Sequence, residues 1–203
     1  AIVCYDKALE IDPNCEGVLI RKGNALSDLE KNEEAIVCYD KALEIDPNYE
    51  GTFYNKGIAL HNLKKYEEAI VCYDKALEID PNYHKAWNNK GIALRDLKKH
   101  EEAIVCYDKA LEIDPNDSSS LNNKSWSLCK LKRYQEALLV SEIAIAINTT
   151  APEHCHTKGF ILLKLKQYQD AIKWFDKALA VDPNHKDSIK DRQLAADAAK
   201  LDK

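Results

Sequence analysis

Three carboxamides, Asn55, Asn89 and Asn123, stand at intervals of 34 residues. A carboxamide carries a donor and an acceptor, so it can pair with the N–H and C=O of an extended backbone without reading side chains. Tyr54, Asn88 and Asn122 immediately precede them, and Arg95 and Trp126 follow within the same intervals. Aromatic and guanidinium side chains are enriched among residues that dominate binding energies. These eight residues are the expected peptide contacts. A second cluster, His154, Cys155 and His156, has metal-ligating types. Successive helical residues point about 100° apart and cannot converge on one ion. Cys155 also falls at an apolar position of the pattern below and reads as a small core residue. No glycine-rich phosphate loop, HExxH or nucleophile elbow occurs. The expectation is a chain that is not an enzyme, with no catalytic residue, no metal and no cofactor.

The elements that must position these side chains are set by repetition. The string AIVCYDKALEIDPN occurs at 1–14, 35–48, 69–82 and 103–116. A fixed period of this length marks a stacked helical repeat, in which neighbours bury the apolar face that one repeat cannot bury alone. Numbered from Glu16, complete repeats are 16–49, 50–83, 84–117, 118–151 and 152–185; residues 1–15 are the second half of an earlier repeat and 186–203 a tail. Each repeat holds two stripes at helical spacing. In the third they are Trp87, Leu94 and Leu97, then Ala103, Tyr107, Ala110 and Leu111. An interior glycine costs a helix about 1 kcal/mol relative to alanine. The recurrence of Gly23, Gly57, Gly91 and Gly159 therefore asks for a packing reason. Lys64 and Lys65 close one helix and Glu67 and Glu68 open the next, which suits the helix dipole. Pro13, Pro47, Pro81, Pro115 and Pro183 follow the second helix and cannot continue it. Asn14, Asn48, Asn82, Asn116 and Asn184 come next, as expected caps for the following helix.

This pattern resembles the tetratricopeptide repeat along almost the whole chain. The resemblance covers the period, the Gly or Ser at position eight, Ala at twenty, the aromatic at twenty-four, Ala at twenty-seven and Pro at thirty-two. Pentatricopeptide repeats run one residue longer, a drift this chain does not show. The resemblance implies an all-α fold, a right-handed superhelical α-solenoid, whose first helices line a concave face that takes extended or helical peptides. On that face position nine gives Asn24, Ile58, Ile92, Trp126 and Phe160, and position twelve gives Ser27, His61, Arg95, Cys129 and Leu163. The asparagine series looks like the ladder in the groove of O-linked N-acetylglucosamine transferase, although Asn is also common there in tetratricopeptide repeats generally. Trp126 and Phe160 either present a binding surface or pack between adjacent first helices. Arg21, Lys85 and Arg95 lean the groove towards a neutral to acidic protein or peptide ligand. The paired Lys and Asn of chaperone-tail clamps are missing.

The net charge of −5 argues against nucleic acid and anionic membrane as partners. No apolar run approaches the ~20 residues that span a bilayer. Seven cysteines without framework spacing fit a reducing cytoplasm. The chain begins without Met and in mid-repeat, as a fragment would. Its N-terminal helix, with Ile2, Tyr5 and Leu9, offers an apolar face through which the chain could form a homo-oligomer, the alternative function. The tail reads as a C-terminal capping helix with an apolar stripe of Ile189, Leu194 and Leu201. Repeat 118–151 departs from the rest with Ser125, Ser141 and Thr149 in place of Gly, the aromatic and Pro. Lys22, Lys56, Lys90, Lys124 and Lys158 all stand at position seven, where the stem of each is expected to lie over the neighbouring helix.

Overall fold

Every 34 residues a helix of 13 residues is followed by one of 14. The computed structural model describes residues 1–201, and among these there are helices and turns but no strand. The helices are α1 (Ile2–Ile11), α2 (Glu16–Asp28), α3 (Asn32–Ile45), α4 (Glu50–Asn62), α5 (Tyr66–Ile79), α6 (His84–Asp96), α7 (His100–Ile113), α8 (Ser118–Lys130), α9 (Tyr134–Ile147), α10 (Pro152–Lys164), α11 (Tyr168–Val181) and α12 (Lys186–Leu201). No helix among the described residues is long and apolar enough to cross a membrane. The described residues form two compact bodies, one from residues 1–99 with α1 to α6 and one from residue 100 onward with α7 to α12.

Within each body the core runs from repeat to repeat. In the first, Leu26, Ala35, Cys38 and Tyr39 cluster with Ala59 of the next repeat, and Leu60, Ala69, Cys72 and Tyr73 cluster with Ala93. In the second, Ile104, Leu128, Cys129 and Ala137 cluster with Ile161, and Leu162, Leu163, Ala171 and Phe175 with Ala195. The glycines have their reason. A Cβ added at Gly23 would meet the Tyr39 ring at 2.5 Å, one at Gly57 the Tyr73 ring at 2.5 Å, and one at Gly159 the Phe175 ring at 2.7 Å. The backbone of each first helix is the floor on which the partner ring lies. Repeat 118–151 exchanges both members: Ser125 and Ser141 are fully buried, and their hydroxyls donate to the carbonyls of Asn122 and Leu138 on their own helices.

The first helices end in one recurrent turn. Glu30, Lys64, Lys98, Lys132 and Lys166 all have positive φ, between 60° and 66°. In α4 the Lys64 N–H donates to the His61 carbonyl and the Lys65 N–H to the Leu60 carbonyl, the Schellman arrangement, and the other four turns repeat it. Glycine or asparagine is the usual occupant of such a site; here lysine holds four of the five.

The asparagines after proline do not cap the following helices. The N-caps are Cys15, Tyr49, Tyr83, Asp117 and Ala151, and only Asp117 makes a side-chain cap bond, to the Ser119 N–H. The aspartate two residues upstream of each asparagine captures that asparagine's N–H instead, as in Asp80 Oδ1 to Asn82 N at 2.9 Å. Asp12, Asp46, Asp114 and Asp182 do the same. An aspartate side chain closes such a local turn more readily than it joins a helix. The tail also packs differently from expectation. α12 buries Ser188 and Ala195, whereas Ile189 and Leu194 are about half exposed and Leu201 almost fully. The small residues let it approach α11 closely, so the larger apolar ones turn outward; residues 202 and 203 of the expected cap lie outside the described residues.

The lysines at position seven do more than cover a neighbour. Each pairs with an acid sixteen residues upstream on the second helix of the preceding repeat. The pairs are Lys22–Asp6 at 2.6 Å, Lys56–Asp40, Lys90–Asp74 and Lys124–Asp108 at 2.5 Å, and Lys158–Glu142 at 2.9 Å. In α12 Arg192 takes the same place and meets Asp176 at 2.5 Å. Such half-exposed pairs contribute ~0.2–1 kcal/mol each, but they recur at successive junctions.

Candidate functional site

The expected contact residues lie on the first helices, and much of their hydrogen bonding turns inward. In the first body Asn55 Nδ2 on α4 donates to Asn24 Oδ1 on α2 at 3.1 Å, and the Tyr39 hydroxyl donates to the same oxygen at 2.8 Å. One repeat on, Asn89 Nδ2 on α6 donates to the Tyr54 hydroxyl at 3.0 Å. Each asparagine therefore spends its donor arm on the preceding first helix. Tyr54 is half-buried and stacks against Tyr83 at 4.8 Å and Tyr73 at 6.1 Å. Burial raises the pKa of Tyr54, offset in part by the Asn89 bond, and pushes Tyr83 up to about 12. Both hydroxyls stay protonated and act as hydrogen-bonding groups.

Arg95 is half-buried and anchored by its neighbour. Its Nε and Nη2 donate to Asp96 Oδ1 at 3.1 Å, and Asp96 Oδ2 bonds His61 Nε2 at 2.9 Å across from α4. The triad compensates part of the positive charge that the sequence lent this face. Asn88 is half-buried on α6.

Two shallow pockets open on this face, in equivalent registers. One, of about 320 Å³, is lined by Asn24, Ser27 and Asp28 of α2, Tyr39 of α3, and Asn55 and Ile58 of α4. The next, of about 180 Å³, is lined by Ile58 and His61 of α4, Tyr73 of α5, and Asn89 and Ile92 of α6. Positions nine, twelve and twenty-four of one repeat, with six and nine of the next, build both. Ile58 is their shared wall.

In the second body Asn122 and Asn123 are half-buried on α8. Asn122 Oδ1 is buried without a hydrogen-bond partner among the described residues. Trp126 stacks on Phe160 of α10 at 4.9 Å, so the two do pack between first helices. Both remain partly exposed, which leaves them available to a partner as well. Lys130 sits 4.2 Å from the Trp126 ring centre and 4.8 Å from that of Phe160, and Lys164 lies 4.9 Å from Phe160. The result is an aromatic shelf with an ammonium rim, a favourable cation–π geometry. Its back wall is His156, which is buried, bonds Asp191 Oδ2 at 3.0 Å and stacks near Phe175 and His185. Burial lowers the pKa of His156, outweighing the Asp191 bond.

No group of three or more His, Cys, Asp or Glu among the described residues is placed to hold a metal ion. His156 points into the aromatic cluster, and the neighbouring Cys155 is buried. None of the seven cysteines forms a disulfide among the described residues. Burial raises Cys72 and Cys129 to about 11, which keeps them protonated and unreactive.

The position-seven ion pairs and the pockets were not among the sequence-derived contacts. Each pocket needs residues from two repeats and three helices. The signal available was the polar and aliphatic alternation at positions nine and twelve.

Comparison with known proteins agrees with this architecture. Tetratricopeptide repeat profiles match residues 52–83, 84–117 and 153–185, another matches 106–138, and a TPR repeat profile matches 23–64. Repeat 118–151 is not matched in its own register. No curated protein matches the sequence. Among solved structures, YrrB, described as a TPR protein with an unusual peptide-binding site, superposes with a TM-score of 0.71 at 23% identity, covering 95% of this chain and 100% of that one. PilF of Pseudomonas aeruginosa gives 0.73 at 23%, covering 92% and 89%. A chain of the APC/C Cut9–Hcn1 hetero-tetramer gives 0.82 at 17%, covering 94% of this chain and 38% of that one. At such identities the likeness is one of fold. With its helix pairs, ring-on-glycine contacts and matching profiles, the chain belongs to the tetratricopeptide repeat family.

Proposed function

We propose that this chain is a protein-interaction scaffold whose first-helix faces hold a peptide segment of a partner, with chemistry occurring elsewhere. The observation that carries it is the double place of Asn55 and Asn89, which brace adjacent first helices through one arm and also line the two pockets. The contacts are Tyr54, Asn55, Asn88, Asn89 and Arg95 in the first body, and Asn122, Asn123 and Trp126 in the second. The Lys130 and Lys164 rim supports a neutral to acidic stretch against the second body's shelf. Seven cysteines that form no disulfide among the described residues support a reducing compartment such as the cytoplasm. The test is affinity capture with the intact chain and with an Asn55→Ala, Asn89→Ala, Asn123→Ala triple variant. Captured partner should fall at least tenfold, about 1.4 kcal/mol, while each lost bond costs ~0.5–1.5 kcal/mol of folding stability. Undiminished capture by a folded triple variant would remove the reading.

A second reading, self-association through α1, is favoured by one observation. α1 buries none of its residues, and Val3 and Ile11 are exposed. Sedimentation equilibrium should then show a dimer that dissociates on dilution and on Ile11→Lys substitution; a strict monomer at the highest concentration eliminates it.

A further inference from the structure

Positions nine and thirteen of the first helices change character between the two bodies. On α2, α4 and α6 they carry Asn24 with Asp28, Ile58 with Asn62, and Ile92 with Asp96. On α8 and α10 they carry Trp126 with Lys130 and Phe160 with Lys164. Position nine has become an aromatic ring, and position thirteen has become a cation. A lysine in the last turn complements the helix dipole. That need is common to all five helices, yet α2, α4 and α6 carry Asp, Asn and Asp at this place. The dipole alone therefore does not account for the lysine pair on α8 and α10.

Both lysines are exposed, with their ammonium groups over the half-buried rings. Lys132 and Lys166, in the turns that follow, are exposed as well. The acids that open the next helices are engaged by other cations, Glu136 by Arg133 and Asp170 by Lys173. On α12, Asp191 bonds His156 and Asp197 bonds Lys200. The face thus sets positive charge one helical turn, about 5–6 Å, from apolar surface. Its complement is an anionic chain bearing one bulky apolar side chain. A single-stranded nucleic acid also joins negative charge to apolar groups, but its bases need ring faces on which to stack. Here an ammonium already lies over each ring, and the rings pack on one another at 4.9 Å. The peptide is the better fit.

We infer that the second body is a site for an acidic peptide with an apolar anchor: the Trp126–Phe160 shelf seats the anchor, and Lys130 and Lys164, supported by Lys132 and Lys166, pair with carboxylates on either side of it. This rests on the reading that first-helix faces hold a peptide, and it names the ligand's charge and its anchor for this body.

The test titrates the full chain with fluorescein-labelled Asp-Glu-Asp-Phe-Glu-Asp-Glu, read by polarisation and by amide chemical-shift mapping. Binding should shift Trp126, Lys130, Phe160 and Lys164. It should weaken about fivefold or more when salt is raised to about 1 M, where charges are screened beyond about 3 Å. Phe→Ser in the peptide should weaken it about tenfold, the size expected for one aromatic side chain partly covered. A Lys130→Glu, Lys164→Glu double variant should bind the peptide about tenfold less well. The same variant should gain affinity, with shifts at Trp126 and Phe160, for a peptide carrying lysine at every acidic position. That gain is one only a folded variant can show. Binding that ignores Phe→Ser or the charge exchange, shifts confined to the first body, or tighter binding of oligothymidylate at these residues overturns the inference. Failure of the acidic peptide to bind overturns it too. Capture of the partner by the triple asparagine variant decides the groove reading separately.

Discussion

Alanine at Gly57 is expected to cost about 1–3 kcal/mol of folding stability, the usual cost of overpacking a filled core. Its Cβ would sit 2.5 Å from Cε1 and 2.8 Å from Cδ1 of Tyr73. The ring is 1% exposed and clustered with Leu60, Ala69, Cys72 and Ala93, so any shift away from the added methyl disturbs that packing. The effect should depend on the ring and not on the helix. In a Tyr73→Ser background the same substitution should turn neutral or stabilising, because alanine is the better helix former by about 1 kcal/mol. Urea unfolding of the two single variants and the double variant measures the coupling. An equal cost in both backgrounds would refute the ring as the cause. Repeat 118–151 already carries the paired exchange, as Ser125 and Ser141.

Glycine at the five left-handed positions should act in the opposite direction. Glu30, Lys64, Lys98, Lys132 and Lys166 hold φ of 60–66°, a region that costs an L-residue roughly 1–2 kcal/mol. Glycine relieves that strain but gives the unfolded chain more freedom, worth about 0.5–1 kcal/mol. The net gain should be ~0.5–1 kcal/mol per site. The sites are one repeat apart and share no partner, so the gains should add. The fivefold variant should then be more stable by ~2.5–5 kcal/mol, read as a rise in the urea midpoint at unchanged slope. Alanine at the same sites is the control: it keeps the Cβ and should gain little.

What could be read from residues alone follows the physics of each feature. The helix pairs were legible because a strong pattern repeats in register, and Gly57 pointed to close packing because its propensity cost needed a reason. The asparagines after proline were misassigned because Asp80 and its equivalents tie each asparagine's own N–H into a local turn, and the helix that follows starts one residue later, with Tyr83 rather than Asn82 at its N-cap. The inward faces of α12 were misjudged because the larger apolar residues, Ile189 and Leu194, suggested the buried side, whereas Ser188 and Ala195 permit the closer approach. The Lys56–Asp40 pairing was invisible for another reason. It joins residues of different repeats, and only the stacking of helices brings them together. Arg95 looked like a free cation although its partner, Asp96, is the next residue; only the His61 bond that orients Asp96 spans two repeats. Asn55, Asn89 and Tyr54 were placed on the right helices, but the bonds they make across to α2 and α4 were not foreseen.

The buried serines of repeat 118–151 have a consequence for how the chain finds its own order. Four copies of one fourteen-residue string are interchangeable plugs for interchangeable sockets, and a nascent chain could seat a helix one repeat out of place. Ser125 bears the extra atoms that a tyrosine from any other copy would strike, and Ser141 lacks the ring that lies over Gly23, Gly57 and Gly159 elsewhere. The odd repeat is thus a keyed joint in an otherwise uniform stack, and it denies slipped arrangements the stability of the correct one.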